Sequence, residues 1–520
     1  MKVVLAGYNA DSNVIEDLKR HAPPRRDVTP ETLSAAYARI SRDPRPADEL
    51  RAVARQEVEK ARRSNQAIIF KMGHHSVAEH AVFNFDIIGV SRLALEEIEK
   101  FRLCSYTEKS QRYIMLGDDF VIPREITDAS AADKFTRTVR LQNALYHRLY
   151  ERLRPYVFEK HAELAANPRN HSVLDGWAKE DARYAVSLAT EGQVGLTINA
   201  RNLELLVRRF AAQRLVELRE LNRKLYELAR EVAPSIILFT EATEFDSLTY
   251  GEIAAAARSL DHNPADEKDQ DAGGGGPENA RPQAGKKARS RPGDVTVQLV
   301  DFTRDGDERI LAALLHSTTS DPYDRCLTRV KDLGLPERLA LMTAAFRRME
   351  FYDFPLREFE YADLTFAADV SASCFAQLKR HRMATLTAQD YDPTLGVSVP
   401  PSLAEIGAVR EFRKLVDKTN AMHRYLKDRV GEAADYVLMN AHRRRVLLKV
   451  NVRELYHISR LREDPTAQWE IRKLAGRMSG LAREVMPLST VLLGGKDRYP
   501  TLYKRIFGRP PNFSPPETLK

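Results

Sequence analysis

The chain has 520 residues, and 81 Lys and Arg against 73 Asp and Glu give it a formal net charge of +8. Its length allows two to four domains, and its 43% hydrophobic and 30% charged residues are ordinary for a soluble globular protein. No apolar run reaches the roughly 20 residues that cross a bilayer, and charges of both signs alternate without a recognisable nucleic-acid module, so we expect neither a membrane nor a nucleic acid as partner.

The first half of the chain, residues 1–260, contains both strand and helix patterns. Residues 2–6 form a β-branched run that is too short for a secretory signal and predicts a strand, and residues 81–87 predict a second one. From 201 to 233 there is no Gly or Pro, and apolar residues recur every three or four positions. This pattern predicts one long helix that ends at Pro234.

Residues 261–294 predict a disordered linker, because they contain four consecutive glycines and mixed charges without apolar periodicity. The second half, 295–520, opens with another β-branched run at 295–300, and its helical pattern is interrupted by Pro465. We therefore predict an α+β fold with two domains, 1–260 and 295–520, each built from a small sheet and long helices.

The two halves also share sequence. Three pairs of similar segments occur in the same order in both: 100–102 and 380–382, 199–201 and 451–453, 229–234 and 482–487. The last pair reads Ala-Arg-Glu-Val-Ala-Pro and Ala-Arg-Glu-Val-Met-Pro. Repeats of this length predict a tandem duplication that gave two homologous domains.

Three clusters in the first half carry chemical groups, and the third consists of Arg183 followed by Asn199 and Arg201. Residues 74–80 read His-His-Ser-Val-Ala-Glu-His, but they match no strict metal-ligand spacing and no cysteine joins them, so we expect no metal site. In the second cluster Glu108, Ser110 and Arg112 alternate along one loop, and arginine binds phosphate bidentately, which makes the loop a candidate anion site.

No Gly-x-Gly-x-x-Gly follows a strand, so a Rossmann site is not supported. The three cysteines lack zinc-ligand spacing and fit a reducing cytoplasm.

These motifs resemble those of the flavin-dependent thymidylate synthases. That family's signature is Arg-His-Arg, seven residues, then Ser, preceded by His-x-Ser-x-x-Glu-His and followed by Asn-x-Arg and a further Arg. The first half matches the His-x-Ser element at 74–80 and keeps Arg102 and Ser110 at the signature spacing. The second half matches Arg-His-Arg at 380–382 and the run 451–471. The resemblance covers both halves and leaves out the linker.

The resemblance implies a FAD site, a nucleotide site and one catalytic arginine. The residues implied for FAD come mostly from the second half: Ser76, Arg380, His381, Arg382, Asn451, Arg453 and His457. The residues implied for the substrate dUMP come from both halves: Glu108, Ser110, Gln111, Arg112, Arg183, Gln377, Arg380 and Arg462. Arg462 is the implied catalytic residue, because it would stabilise negative charge on the uracil ring.

The departures from the family pattern divide between the halves. The first half has lost residues of the Arg-His-Arg, Gln and catalytic-Arg set, at Glu97, Lys100, Phe101 and Phe210. The second half has lost residues of the phosphate-loop set, at Ala388, Asp390, Asp392 and Asp435. In the family, one subunit supplies the first set to a site and its neighbour supplies the second. Complementary losses therefore predict one composite site between the two domains and an abandoned reciprocal site.

The implied activity is FAD-dependent reductive methylation of dUMP to dTMP, with methylenetetrahydrofolate and NADPH as co-substrates, by a thymidylate synthase-like methyltransferase. One alternative is a non-catalytic or repurposed flavin- or nucleotide-binding protein, because Asp390 and Asp435 would repel a phosphate if they lined the retained site. Another is flavin-dependent modification of a different pyrimidine nucleotide. Because two domains would replace two subunits of the family's homotetramer, we expect a homodimer.

Overall fold

The computed structural model describes residues 1–20, 28–40, 43–71, 73–260 and 295–514. The predicted linker, 261–294, lies outside the described residues. The strands of the first half are β1 Lys2–Tyr8, β2 Val82–Ser91, β3 Cys104–Glu108 and β4 Glu191–Asn199. Those of the second half are β5 Thr296–Phe302, β6 Asp363–Ser371, β7 Thr385–Ala388 and β8 Arg443–Asn451. Each set forms an antiparallel sheet, in the order β1-β2-β4-β3 and β5-β6-β8-β7.

Helices cover most of the remaining described chain. The first half contains α1 Ser12–Arg20, α2 Glu31–Arg39, α3 Ala47–Gln56, α4 Val58–Gln66, α5 Arg92–Ile98, α6 Ala129–Lys160, α7 Ala162–Ala165, α8 His171–Ala182, α9 Ala200–Ala211, α10 Val216–Val232 and α11 Glu244–Leu260. The second half contains α12 Gly306–Thr318, α13 Tyr323–Asp332, α14 Leu335–Phe346, α15 Ala372–Leu378, α16 Pro401–Glu405, α17 Val409–Val430, α18 Val452–Arg462, α19 Trp469–Val485 and α20 Tyr499–Phe507.

Short helical turns complete the described chain: a π turn at Ala67–Lys71 and 3₁₀ turns at His75–His80, Pro168–Asn170, Arg183–Ala185, Arg357–Tyr361, Pro393–Leu395 and Gly431–Val437. Within the described ranges, no helix combines the length and the apolar character needed to cross a membrane.

Strand β2 shows why the sheets form as predicted. Phe83, Phe85 and Ile87 are buried, whereas Asn84 and Asp86 between them are exposed. This alternation of period two turns one face of the sheet toward the core. The structure confirms the strands predicted at 2–6, 81–87 and 295–300, as β1, β2 and β5.

The two halves repeat the same local devices. Ser91 caps α5 and Ser371 caps α15, each through its side-chain oxygen. Asn199 and Asn451 cap α9 and α18 in the same way. The break predicted at Pro465 is present, between α18 and α19. The α+β class and the likeness of the two halves are confirmed.

The prediction of a single long helix from 201 to 233 is wrong. The chain forms α9 and α10, separated by residues 212–215. Glu125 accepts a hydrogen bond of 2.7 Å from the N–H of Val216 at the start of α10. Arg219 donates to two carbonyls within the break. Because a distant side chain and a long arginine satisfy these backbone groups, no Gly or Pro is needed to mark the break.

The two halves join through paired backbone segments near the centre of the molecule. Ser187 and Met439 face each other in an antiparallel bridge. On either side, the N–H of Leu188 donates to the carbonyl of Leu438 at 2.7 Å, and the N–H of Asn440 donates to that of Val186 at 2.8 Å. The pairing is nearly symmetric, so each half approaches the other in the same way.

Side chains cross this junction as symmetrically as the backbone does. Glu217 accepts from Ser91 of its own half at 2.6 Å and from Tyr436 of the other half at 2.7 Å. Glu470 repeats the arrangement, accepting from Tyr184 of the first half at 2.6 Å. Since each half reaches into its neighbour, a cavity at the junction is lined by residues of both.

Candidate active site

A small cavity of about 200 Å³ lies at this junction, where the loop after β3 meets the end of α15 and α18. Both halves line it, with Arg92, Glu108, Lys109, Ser110, Gln111, Arg112, Arg183, Ala376, Gln377, Arg380 and Arg462. Every residue that the sequence suggested for the substrate lies on this wall. We call it the small cavity.

An ion-pair network fixes the wall between the two halves. Arg380, two residues after α15, lies 2.5 Å from Glu108 and 2.8 Å from Glu99, both in the first half. Arg92 lies 3.2 Å from the other oxygen of Glu108. Although burial opposes ionisation of Glu108, the charges of Arg92, Lys379 and Arg380 lower its pKa. The carboxylate is therefore ionised, and it holds the two halves in register at the cavity.

The first half brings hydrogen-bond donors to the small cavity, and we call its residues Ser110, Arg112 and Arg183 the donor end. Arg183 is buried, and its Nε and Nη2 atoms have no acceptor among the described residues. Burial lowers the pKa of this arginine. The Ser110 hydroxyl accepts from the N–H of Arg112 at 3.1 Å, so its own proton is free to donate. Arg112 donates to Glu180 and, at 3.0 Å, to the carbonyl of Thr466. Unpartnered buried donors are costly without an anion to accept from them.

The second half brings an acceptor to the small cavity. The amide nitrogen of Gln377 donates to the carbonyl of Ser373 at 3.3 Å, and a carbonyl can only accept. The remaining amide oxygen, Oε1 of Gln377, is buried and has no donor among the described residues. It is therefore available to an N–H group of a bound molecule.

Two hydrogen bonds hold Arg462 beside the small cavity. Its Nε donates to Nε2 of His381 at 3.0 Å, and its Nη2 donates to the carbonyl of Gln377 at 3.0 Å. Burial, and secondarily the charge of Arg462, lower the pKa of His381 to about 3. The ring is neutral, and since Nε2 accepts, the proton is on Nδ1. Burial, with help from Arg112 and Arg380, lowers the pKa of Arg462 to about 10, and the guanidinium remains charged at neutral pH.

A larger cleft of about 500 Å³, which we call the large cleft, adjoins the small cavity. Arg380 lines both. The wall of the large cleft is formed by residues of both halves: Glu79, Val82, Arg102, Leu103, Cys104, Ser105, Thr197, Ile198, Asn199, Arg380, His381, Arg382, Met383, Glu454 and His457. Of the residues suggested for the cofactor, the structure brings Arg380, His381, Arg382 and His457 to this wall.

The other three residues suggested for the cofactor are not on that wall. Ser76 lies in the 3₁₀ turn His75–His80. Asn451 caps α18, and Arg453 donates to Glu360 at 2.9 Å. Asn199, the matching cap of the first half, lines the cleft instead. The symmetric crossing of the halves places the end of β4 against residues 380–382, so the first half supplies this asparagine.

Sequence reasoning also missed Arg92 and Lys109 on the wall of the small cavity. Arg92 is nearly inaccessible, at the start of helix α5 and just before the apolar residues 93–95. A lone arginine in an apolar stretch was the available signal, because a buried cation needs anionic partners. Ala372 occupies the matching position after the cap of α15, so only the first half carries this charge.

The residues that replace the family's site residues at the reciprocal positions make other contacts. Phe101 and Phe210 pack edge to face with ring centres 5.8 Å apart. Asp435 lies 2.9 Å from Nε2 of His423. Asp390 lines a separate cavity with Arg214 and Lys427. Neither aspartate lines the small cavity, so neither opposes an anion there. Among the described residues, no cluster of three or more His, Cys, Asp or Glu side chains could hold a metal ion.

The model of the thymidylate synthase complementing protein family matches residues 26–235 and 298–488. The chain belongs to this family, that of the flavin-dependent thymidylate synthases. It is 24% identical over 500 residues to a UPF0159 protein of Thermoplasma acidophilum, a match that spans 88% of this chain and 92% of that protein. It is 34% identical over 172 residues to a flavin-dependent thymidylate synthase of Geobacter sulfurreducens, spanning 32% of this chain and 65% of that protein.

Two solved structures are also similar. The flavin-dependent thymidylate synthase of Helicobacter pylori, complexed with FAD and dUMP, is 16% identical with a TM-score of 0.29, over 45% of this chain and 99% of that one. The UMP/dUMP methylase PolB of Streptomyces cacaoi is 18% identical with a TM-score of 0.32, over 42% of this chain and 98% of that one.

Proposed function

We propose that this protein is a flavin-dependent methyltransferase that converts dUMP to dTMP, with methylenetetrahydrofolate and NADPH as co-substrates. The small cavity is its nucleotide site and the large cleft its FAD site. The observation that carries the proposal is the small cavity, to which the first half brings unpartnered donors and the second half an unpartnered buried acceptor. Family membership supports the same chemistry.

The large cleft fits a FAD group. Arg102, Arg380 and Arg382 on its wall match the charge of a diphosphate. The protonated Nδ1 of His381 lies 3.4 Å from Oε1 of Glu454, which holds the ring on the same wall. Because Arg380 lines both sites, groups bound in the two would be neighbours. Bound FAD would supply the hydride chemistry, while the protein supplies orientation and charge.

The small cavity fits a nucleoside monophosphate with a uracil base. Arg183 and the Ser110 hydroxyl would donate to the phosphate, which replaces the acceptors that these groups lack. The free Oε1 of Gln377 would accept the ring N–H of uracil. Glu108 would keep Arg380 between the two sites.

Arg462 would act as the catalytic residue. His381 and the carbonyl of Gln377 hold two of its nitrogens, and Nη1 makes no hydrogen bond to a described residue. A charged guanidinium fixed before the reaction stabilises negative charge developing on the uracil ring at no further reorganisation cost. The neutral state of His381 matters here, because a protonated ring could not accept from Arg462.

We further propose one such site per chain, a tandem duplication as the origin of the halves, a homodimer as the assembled form, and a cytoplasmic location. The single site is supported by the Phe101–Phe210 and His423–Asp435 contacts at the reciprocal positions. The described cysteines are free and buried, as suits a reducing compartment. A monomeric mass by light scattering, measured with FAD present, would contradict the homodimer.

The decisive experiment is anaerobic incubation of the full chain with FAD, NADPH, methylenetetrahydrofolate and dUMP, followed by chromatographic detection of dTMP. Three proteins are compared: wild type, Arg462→Ala, and Arg214→Ala as a matched control. Arg214 is largely exposed and pairs with Glu432, away from both sites. We expect dTMP from the wild type and the control, and a loss of at least about 100-fold in Arg462→Ala, in line with removal of a preorganised charge.

The outcomes separate the alternatives. No dTMP, with FAD and dUMP still bound in equilibrium dialysis, would refute the synthase and leave a repurposed binding protein. The same assay with UMP and dCMP in place of dUMP tests a different pyrimidine nucleotide. Equal activity in Arg462→Ala would remove Arg462 from the mechanism.

A further inference from the structure

We infer that Asn440, a second-half residue that no sequence motif singled out, is a positioning residue that fixes the orientation of the Gln111 amide in the small cavity. The inference rests on the proposed nucleotide site. Asn440 is buried, and its Nδ2 donates to the carbonyl of Arg183 at 3.1 Å and to Oε1 of Gln111 at 3.0 Å.

The hydrogen bond from Asn440 to the Arg183 carbonyl determines which amide atoms donate and which accept. The carbonyl of Arg183 can only accept, so the Asn440 atom facing it is the NH₂ group. That NH₂ group also faces Gln111, and the Gln111 atom that meets it must therefore be the amide oxygen. The amide nitrogen of Gln111 is left without an acceptor among the described residues. No other choice of amide orientations satisfies both contacts.

The consequence is that Gln111 adds a donor, and not an acceptor, to the donors that Arg183 and Ser110 bring to the small cavity. Gln111 offers its NH₂ group beside the unpartnered Nε and Nη2 of Arg183 and the hydroxyl of Ser110. Were the amide reversed, an oxygen would take the place of a donor and would repel a phosphate. Asn440 thus acts through Gln111 to make the donor end selective for an anionic acceptor such as a phosphate monoester.

The backbone of Asn440 is held independently of its side chain. Its N–H donates to Val186 and its carbonyl accepts from Ser373, at 2.8 and 3.0 Å. The symmetric junction places Leu188 at the equivalent position of the first half, where it makes the equivalent backbone bond to Leu438. Leucine is thus compatible with this backbone, and Asn440→Leu removes the amide while retaining the fold.

The test is a double-mutant cycle in the full chain, read by the dissociation constant of dUMP in isothermal titration calorimetry. The four proteins are wild type, Asn440→Leu, Gln111→Met and the double variant. We expect each single variant to weaken dUMP about tenfold, the usual effect of one lost or misoriented hydrogen bond to a charged group. The double variant is expected to bind no more weakly than Gln111→Met, because the inference assigns the effect of Asn440 on dUMP to Gln111 and not to the bond with the Arg183 carbonyl.

Other results would overturn the inference. If the effects multiply in the double variant, or if Asn440→Leu binds dUMP like the wild type, Asn440 does not act through Gln111. Wild-type protein that binds neither dUMP nor UMP would instead refute the proposed function, and this inference with it. Should Asn440→Leu lower the unfolding temperature of the free protein, Asn440→Ala, which adds no bulk, is carried through the same cycle and judged by the same two results.

Discussion

Replacing Arg183 by methionine should make the free protein more stable and, at the same time, remove nucleotide binding. Arg183 is only 5% exposed, and its Nε and Nη2 are buried without acceptors. Burial lowers its pKa, which records how poorly the site tolerates the charge. Arg112 competes for the nearby carboxylate, since it is the residue that pairs with Glu180. The Arg183 guanidinium therefore lacks acceptors in the free protein, and the bound nucleotide would supply them.

The expected magnitudes follow from these unpartnered groups. A buried donor without an acceptor costs about 1–3 kcal/mol, so Arg183→Met should raise the free energy of unfolding by roughly 1–3 kcal/mol, since methionine keeps most of the apolar stem. Two hydrogen bonds from a charged group contribute about 3–5 kcal/mol to binding a phosphate, so dUMP affinity should fall roughly 10²- to 10³-fold or more.

Urea unfolding with and without dUMP measures both effects in one experiment. Ligand that binds only the folded state raises the unfolding free energy, so dUMP should stabilise the wild type and not Arg183→Met. Arg214→Met is the control, because Arg214 forms an exposed pair with Glu432 and should change neither quantity by more than about 0.5 kcal/mol. An Arg183→Met protein that is less stable than the wild type, or that dUMP still stabilises equally, would refute the reasoning.

Two further predictions concern the junction between the halves. Burial raises the pKa of Asp181 from its ordinary value of 3.8 to about 7, where it accepts from Ser402, so the folded protein keeps a proton that the unfolded chain releases. The free energy of unfolding should therefore fall as pH rises between those two values, by up to about 4 kcal/mol at pH 8. Asp181→Asn should abolish this loss in urea titrations from pH 4 to 8. An unchanged pH slope in Asp181→Asn would contradict the prediction. Glu99 and Lys379 form a buried pair at 2.8 Å. Glu99→Gln should cost about 3–5 kcal/mol, and adding Lys379→Met should recover part of that cost, whereas additive losses in the double variant would show that the pair is not coupled.

The sequence was sufficient wherever a pattern was local. The period-two alternation around Phe83 and Phe85 predicted β2, because side-chain direction in a strand depends only on position. Pro465 predicted the break between α18 and α19, because proline removes a backbone donor. The division of motif residues between the halves also predicted that Glu108 and Arg380 would line one cavity.

Only the tertiary structure decided what depends on contacts between distant residues. The break between α9 and α10 has no local signal, because Glu125 supplies the acceptor that begins α10. The large cleft takes Asn199 from the first half because the halves cross symmetrically, a relation that a linear motif does not contain. Asn440 and Arg92 acquire their contacts only when the two halves meet. Local propensity sets the strands and helices, whereas the polarity of the site is set by hydrogen bonds and charges that folding brings together.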